Sequence, residues 1–206
     1  MAKLSLPLLL FSLICVSTLV APALARPSPS QAYIERSCHG TLYPKLCIQC
    51  LSGYANDSIE SPQQVAQAAL TVSLYKALYT RAYMVKVAKD LEEMKAQDYQ
   101  PVKDCLDQID NGIDQLTQSI RELRRLGQEN VGDNFYWHIS NVESWVSAAL
   151  TDATTCLDEL PPGNRMSKTK AVLKGKVLNM AMTTSNALAL FHRFAATYGV
   201  RATTKP

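Results

Sequence analysis

The cysteines are the residues of this chain whose type and spacing most clearly indicate chemistry. Cys15 lies in an apolar N-terminal run, and the five that follow are Cys38, Cys47, Cys50, Cys105 and Cys156. In an oxidising compartment such cysteines form disulfides, and an odd number leaves one thiol over. Three of the five lie close together in sequence and two lie far apart, which favours one bridge within each group.

Cys47 and Cys50 have the Cys-x-x-Cys spacing of a redox motif or of half a zinc site. A redox motif of this kind is expected near a βαβ pattern, and a structural zinc site needs two further ligands. The sequence shows neither feature. We therefore interpret this segment as one disulfide-forming cysteine beside one spare thiol.

Other catalytic constellations are missing from the sequence. Side-chain catalysis needs a nucleophile, a base and a group that holds charge. The chain contains no Gly-x-Ser-x-Gly elbow, no phosphate-binding glycine loop and no His-Glu-x-x-His motif. His39, His138 and His192 fall in separate elements, which is typical of surface histidines or of core histidines with satisfied hydrogen bonds. We expect no catalytic residues, no metal and no cofactor, and thus no enzyme.

The N-terminus predicts export from the cell. Lys3 precedes an apolar run over 4–20 and a small-residue cleavage site at 23–25, the layout of a secretory signal peptide. The run is slightly short for a membrane span, and no basic stop-transfer cluster follows it, which disfavours an uncleaved anchor. We predict a signal peptide over 1–25 and one secreted, extracellular domain over 26–206, with no membrane association after cleavage.

Composition disfavours two classes of partner. The formal net charge is +3, from 21 Lys and Arg against 18 Asp and Glu. These charges are mixed along the chain apart from one local acidic stretch, so neither nucleic acid nor an anionic membrane is expected as a partner.

Two short helical segments, about 31–38 and 43–55, follow a Pro/Ser leader over 26–30 that does not propagate a helix. Each segment is too short to be stable alone in water. A bridge between Cys38 and Cys47 would close them into a hairpin, about 31–55. Asn56 opens the N-glycosylation sequon Asn-Asp-Ser in the polar turn that follows, where a glycan is tolerated.

Four longer helical patterns run from about 61 to 198. The first begins at Ser61, an N-cap residue, with Pro62 in the first turn. The second, from near Pro101, has an apolar seam with alternating steps of four and three: Val102, Leu106, Ile109, Ile113, Leu116, Ile120 and Leu123. The apolar positions of the first pattern also follow a helical period: Val65, Ala69, Val72, Leu78, Val85, Ala88 and Leu91. The third and fourth patterns cover about 134–160 and 165–198.

These elements predict an all-α fold with two disulfides, in which an antiparallel four-helix up-and-down bundle, about 61–198, follows the N-terminal helical hairpin. Cys105 lies near the start of the second long helix and Cys156 near the end of the third. Antiparallel neighbours bring these two ends together, so a bridge between the two cysteines is geometrically reasonable.

The residues around the cysteines resemble a known family. Residues 38–47 (CHGTLYPKLC) are similar to the N-terminal hairpin of plant invertase and pectin methylesterase inhibitors, and 144–156 and 184–190 resemble later segments of the same family. The resemblance implies a Cys38–Cys47 bridge in the hairpin and a Cys105–Cys156 bridge in the bundle. Cys50 departs from the family pattern, in which a small residue is common there. Either Cys47 or Cys50 could then pair with Cys38, and by resemblance we expect Cys47.

The same resemblance implies an apoplastic, non-enzymatic protein that binds one target enzyme one-to-one and covers its active-site cleft. One branch of the family blocks pectin methylesterase, which limits pectin de-esterification in the cell wall, and the other blocks cell-wall or vacuolar invertase. In invertase inhibitors a Pro-Lys-Phe element resembles a plug late in the bundle, whereas residues 160–165 here read LPPGNR. We therefore expect pectin methylesterase as the partner, with invertase as the alternative.

Further alternatives concern the class of protein and its assembly. One is a secreted structural or signalling module with neither target. A pro-region of a larger esterase is less favoured, because the sequence stops at Pro206 with no catalytic domain. We expect a monomer, and a disulfide dimer through Cys50 is the alternative.

An acidic strip on the second long helix is the first candidate partner-binding surface. Its members, spaced by three and four residues and so on one helix face, are Asp104, Asp107, Asp110 and Asp114. The resemblance implies a commonly basic target enzyme, whose association such a strip could steer. The alternative is an ordinary solvated helix face.

A tyrosine strip on the first long helix is the second candidate. Tyr75, Tyr79 and Tyr83 recur every four residues beside the apolar side. Exposed tyrosines are favoured anchors at protein interfaces. The alternative is that these rings pack along the edge of the bundle.

Overall fold

The computed structural model describes residues 27–55, 59–126, 133–160 and 168–198, and all regular structure in these ranges is helical. The α-helices are α1 (Pro29–Cys38), α2 (Pro44–Leu51), α3 (Pro62–Glu93), α4 (Tyr99–Leu126), α5 (Asp133–Glu159) and α6 (Lys168–Ala196). A 3₁₀ turn, Ser52–Tyr54, extends α2. The predicted all-α class is confirmed. The signal segment, the sequon at Asn56 and residues 161–165 lie outside the described residues.

Helices α1 and α2 form the predicted hairpin, and the structure pairs Cys38 with Cys47 across a Cα–Cα distance of 5.6 Å. Helix α1 begins earlier than predicted, because the Ser28 side chain accepts a hydrogen bond from the Gln31 amide at 3.1 Å. Pro29 occupies the first turn, where its missing N–H is not needed. The prediction of a non-helical leader up to residue 30 is thus wrong for its last two residues.

Helix α3 begins where the sequence predicted, and a capping box fixes its start. The Ser61 side chain accepts a hydrogen bond from the Gln64 amide at 3.3 Å, and the Gln64 side chain accepts one from the Ser61 amide at 3.0 Å. Two backbone donors that a helix terminus would otherwise leave unpaired are satisfied in this way. Pro62 takes the first helical position.

The four long helices form a ring in the order α3, α4, α5, α6, with the most extensive packing between α4 and α5 and between α3 and α6. The hairpin packs against α3 and α6. The predicted α4 seam is confirmed: Val102, Ile109, Leu116 and Leu123 are fully buried, and Leu106 and Ile113 are partly buried against the core.

The apolar side predicted for α3 is partly wrong. Leu78 and Val85 are 47% and 42% exposed. Small residues face α6 instead, and a buried hydrogen bond of 2.6 Å joins the Ser73 and Thr184 hydroxyls across the interface. Small side chains allow close helix approach, which is why these positions replace larger apolar ones. The small residues of α3 that are buried include Ala66, Ala69, Ala77 and Thr80.

Candidate partner-binding surfaces

The second disulfide joins the start of α4 to the end of α5. Cys105 and Cys156 are fully buried and bonded, with a Cα–Cα distance of 4.6 Å. Their bond closes a sequence separation of 51 residues. The disulfide thus links α4 and α5 at the end of the pair opposite to the one where α5 follows α4 along the chain.

Charges separate by helix pair in the folded chain. Helix α6 contains no Asp or Glu, α3 contains none before Asp90, and α5 contains no Lys or Arg. Helices α3 and α6 together carry nine Lys or Arg residues against three carboxylates, whereas α4 and α5 together carry four against ten. We call these pairs the cationic half and the acidic half. The charge bias of each long helix is already visible in its sequence, whereas the division into two halves follows from which helices are neighbours in the fold.

The acidic strip lies on the outer side of α4, within the acidic half. Asp104, Asp107 and Asp114 are exposed, and Asp110 is half-buried. The Arg81 guanidinium of α3 donates to the Asp110 carboxylate. Gln100 donates to Asp104 at 2.7 Å. Within the described ranges, Asp107 and Asp114 form no ion pair, so their charges remain open to a partner.

The tyrosine strip divides into two environments. Tyr75 and Tyr79 are 64% and 56% exposed. Tyr83 is half-buried against the core, and its hydroxyl donates to the Thr169 carbonyl at 3.5 Å. Lys176 of α6 places its ammonium 4.0 Å from the Tyr79 ring centroid and 5.0 Å from that of Tyr83. Edge packing therefore describes Tyr83, whereas the other two rings remain available at the surface.

The structure does not bring the two strips together. Helix α3 directs Arg81 toward α4 and the acidic strip, but it directs Tyr79 toward Lys176 on α6. The strips consequently flank α3 on different sides. A single flat partner cannot lie against both along their full length.

A shallow groove follows the α3–α6 junction beside the exposed tyrosines. One section has a volume of about 410 Å³ and is lined by Cys50 and Tyr75, among others. The adjoining section, about 320 Å³, is lined by Tyr79 and residues of α6. Lys76 and Asn179 line both sections, so the two form one continuous surface, which we call the α3–α6 groove.

Among the cysteines of the described ranges, Cys50 is the one left unpaired, and it lies partly buried at the hairpin end of this groove. Burial raises the pKa of the Cys50 thiol, and the nearby charge of Lys76 offsets only part of that rise. Cys47 is bonded to Cys38, so Cys47 and Cys50 do not act together as a redox or zinc motif.

A buried polar cluster between α4 and α5 escaped the sequence analysis. Glu122 is 4% exposed. Its carboxylate lies 2.6 Å from His138 Nδ1 and accepts hydrogen bonds from Asn141 at 3.3 Å and Arg125 at 3.4 Å. Burial alone would raise the pKa of Glu122, but the His138 and Asn141 hydrogen bonds and the charges of His138 and Arg125 together hold this pKa below its usual value.

The histidines serve packing in this arrangement. His192 Nε2 of α6 lies 3.1 Å from a Glu143 oxygen of α5, so a second histidine–carboxylate pair links neighbouring helices. The interpretation of His138 and His192 as satisfied residues agrees with these contacts. His39 is exposed at the hairpin turn. Sequence reasoning missed the pairings because each joins two elements whose relative positions only the fold determines.

Two further findings limit the chemistry of the surface. Across 27–55, 59–126, 133–160 and 168–198, no group of three or more His, Cys, Asp or Glu side chains is arranged to hold a metal ion. No helix in the same ranges combines the length and apolar character needed to span a bilayer.

The described residues form a disulfide-linked helical bundle with exposed charged and aromatic faces, a surface of the kind through which binding proteins contact other molecules. Residues 32–190 match the family model described as plant invertase/pectin methylesterase inhibitor. The chain belongs to this family. Its members are inhibitors of enzymes, and the chain is accordingly non-enzymatic.

Individual relatives support the same assignment. The chain is 39% identical to Pectinesterase inhibitor 9 of Arabidopsis thaliana, across 89% of this chain and 92% of that protein. It is 37% identical to Pectinesterase inhibitor 11 of the same species, across 81% and 82%. A crystal structure of a mutant pectin methylesterase inhibitor from Arabidopsis shares the fold, with a TM-score of 0.56 at 19% identity over 75% of this chain and 92% of that one.

Proposed function

We propose that this protein is a secreted inhibitor that binds plant pectin methylesterase one-to-one and covers its active-site cleft. Such a complex limits pectin de-esterification in the cell wall. The names of the two Arabidopsis relatives support the choice of target. The observation that carries the proposal is the exposed acidic strip on α4, with Asp107 and Asp114 open to a partner.

The acidic strip is suited to inhibition because the surrounding helices hold it in place before the target arrives. The Cys105–Cys156 bond fixes one end of α4 to α5, and Arg81 ties the middle of the strip to α3. A surface that is already ordered loses little conformational entropy on binding, so more of the contact energy appears as affinity. A row of carboxylates also accelerates encounter with a basic enzyme and fixes its orientation.

Titration against purified plant pectin methylesterases tests the proposal directly. Release of methanol from methyl-esterified pectin should fall linearly with added inhibitor and end near one equivalent. Light scattering of the mixture should show a complex that contains one copy of each protein. Undiminished esterase activity across a panel of isoforms would remove the proposal.

Charge reversal tests the surface. Asp107→Lys combined with Asp114→Lys should slow association by about tenfold at low salt, because long-range attraction to a basic target becomes repulsion. Asp90→Lys, at an exposed position on α3, is the matched control and should leave the association rate unchanged. Asp110 is a poorer probe, since its replacement also breaks the contact with Arg81.

Invertase is the alternative target, since the family description includes both enzymes. The sequence of residues 160–165, LPPGNR, has no Pro-Lys-Phe triplet, and this favours the esterase. The same titration with cell-wall and vacuolar invertases, read as sucrose cleavage, separates the two branches. Suppression of invertase with no effect on esterase would reverse the assignment.

Secretion and the mature form are part of the same proposal. Removal of residues 1–25 leaves the inhibitor domain 26–206 in the apoplast, with Arg26 as the first residue on N-terminal sequencing. A glycan at Asn56 would appear as a mass change on enzymatic deglycosylation. The partly buried position of Cys50 supports a monomer over a dimer linked through this residue.

A further inference from the structure

The α3–α6 groove lies in the cationic half, away from the acidic strip that the proposed function uses. It runs from the hairpin, at Cys50, along α3 from Val72 to Thr80. Eight helical steps correspond to about 12 Å, long enough for a few linked sugar rings. The groove is open and shallow, which suits a chain that lies along the surface better than a small molecule that must be enclosed.

Two lysines give the groove its charge. Lys76 lines both sections, and Lys176 lines the section beyond it. Neither lysine forms an ion pair in the part of the chain that the structure describes. No acidic residue occurs in α6 or in α3 before Asp90, so the two ammonium groups are not neutralised from the helices that form the groove. Carboxylates on a bound chain would supply the missing counter-charges.

Aromatic rings stand beside these cations. Tyr75 and Tyr79 are 64% and 56% exposed along the groove, and Val172 adds exposed apolar surface at 42%. Lys176 already lies over the Tyr79 ring, which holds both side chains in place. Exposed tyrosine offers a flat apolar face with a polar hydroxyl, and the Asn179 amide adds a donor and an acceptor. Flat apolar faces next to polar groups match the surface of a pyranose ring.

We infer that the α3–α6 groove binds a linear acidic polysaccharide, a polyuronate, through Lys76 and Lys176 with its sugar rings against Tyr75 and Tyr79. The choice of a uronate among polyanions rests on the proposed function, because ester hydrolysis by the target enzyme leaves carboxylates on this polymer. A nucleic acid fits less well, since the net charge of the chain is only +3. The acidic strip lies on α4, across α3 from the groove, so one molecule can hold the polymer and the enzyme at once.

Binding to polygalacturonate, measured by affinity electrophoresis and by co-sedimentation, tests the inference on the full mature protein. Fully de-esterified polymer should retain the protein, whereas highly methyl-esterified pectin and neutral dextran should retain it at least about fivefold less, because they lack the carboxylates that the lysines require. Retention should decrease as salt is raised.

Two variants and two matched controls locate the site. Lys76→Gln with Lys176→Gln should weaken retention about tenfold, and Tyr79→Ala about threefold, as expected for the loss of exposed charge pairs and of one aromatic face. The controls lie in the acidic half and are exposed: Lys103→Gln and Tyr136→Ala. Both should bind as the parent protein does. Circular dichroism of each variant should be unchanged, since none of the five positions is in the core.

The outcomes separate this inference from the proposed function. The inference alone is overturned if the protein inhibits the esterase but all three polymers retain it equally. It is also overturned if the variants and the controls lose polymer retention to the same extent. Tighter binding to anionic vesicles or to DNA than to polygalacturonate also overturns it. If de-esterified polygalacturonate retains the protein selectively but the protein inhibits no esterase, the groove is supported as a polyuronate site and the proposed function is wrong. The lysine variants should inhibit the esterase as well as the parent protein does.

Discussion

The two halves of the bundle reach stability by different means. In the acidic half, α4 presents a regular seam of large apolar residues and is linked to α5 by a disulfide. In the cationic half, α3 and α6 contain no cysteine and meet through small residues and the Ser73–Thr184 hydrogen bond. Each half concentrates like charges, which repel one another across the helices.

The comparison shows how each half tolerates that repulsion. The acidic half holds one carboxylate, Glu122, in a buried cluster with His138 and closes its far end covalently. At the same interface burial raises the pKa of Asp152, and a Gln115 hydrogen bond acts against that rise. Keeping this carboxylate ionised while partly buried therefore costs the acidic half free energy of folding. The cationic half buries Lys170 in an ion pair with Asp98 and places Lys176 over the rings of Tyr79 and Tyr83. Three changes test this difference, from the largest expected effect to the smallest.

Removal of the Cys105–Cys156 bond is the largest test. Replacing both cysteines by Ser should lower the free energy of unfolding by about 4 kcal/mol, because the unfolded chain gains the entropy of an open loop. Guanidinium titration under non-reducing conditions measures the change. The matched pair Cys38→Ser with Cys47→Ser opens a shorter loop, with a sequence separation of 9 against 51, and should cost less. Equal losses would mean that the length of the closed loop does not decide how much each bond stabilises the fold.

Glu122→Gln tests the buried cluster. At pH 6 the variant should be less stable by about 1–3 kcal/mol, because a neutral amide oxygen is a weaker acceptor than a carboxylate for His138 and Asn141 and forms no ion pair with Arg125.

The pH dependence of this variant has a definite sign. The folded-state pKa of Glu122 lies below its ordinary value of 4.5. The stabilisation from its ionised form is therefore complete above that value and is lost as the pH falls through the lower, folded-state pKa. Thermal unfolding of both proteins between pH 3 and pH 6 should show the difference in stability shrinking at the acid end. A constant difference would contradict this account of the cluster.

Gly175→Ala is the smallest change, and Gly112→Ala is its counterpart in the other half. A Cβ at Gly175 meets nothing within 4 Å, whereas one at Gly112 lies 3.2 Å from Met180 Cε. Alanine is the better helix former, so Gly175→Ala should stabilise by about 0.5–1 kcal/mol. Gly112→Ala should gain less, because Met180 must shift. Urea titration ranks the two, and a larger gain at Gly112 would contradict the close contact between Gly112 and the Met180 side chain.

How far the sequence predicts the fold differs between α4 and α3. Along α4, large aliphatic residues at regular steps identify the buried face, and these positions are buried in the structure. Along α3, Leu78 and Val85 are exposed while Ser73 and Thr80 are buried. A prediction of the buried face from apolar periodicity relies on large aliphatic residues and overlooks small or hydroxyl-bearing ones, although these allow two helices to pack closely. Packing against α6 decides the face here, and the sequence of α3 alone does not contain that partner.

For the candidate surfaces, too, the sequence predicts features within one helix but not those that depend on packing between helices. Spacing within one helix predicts that the four aspartates share a face, because helical geometry is local. Three other features depend on which helices are adjacent: the ion pair of Asp110 with Arg81, the position of Lys176 over Tyr79, and the division of charge between the halves. These features could be identified only from the folded structure.

The division of charge gives the molecule a large electric dipole across the bundle, although its net charge is small. An electric field exerts a torque on a dipole. Beside a surface of fixed negative charge this torque favours the orientation with the lysines toward the surface and the aspartates toward the solution. Such alignment occurs before contact and reduces the number of rotational orientations that an arriving enzyme has to search.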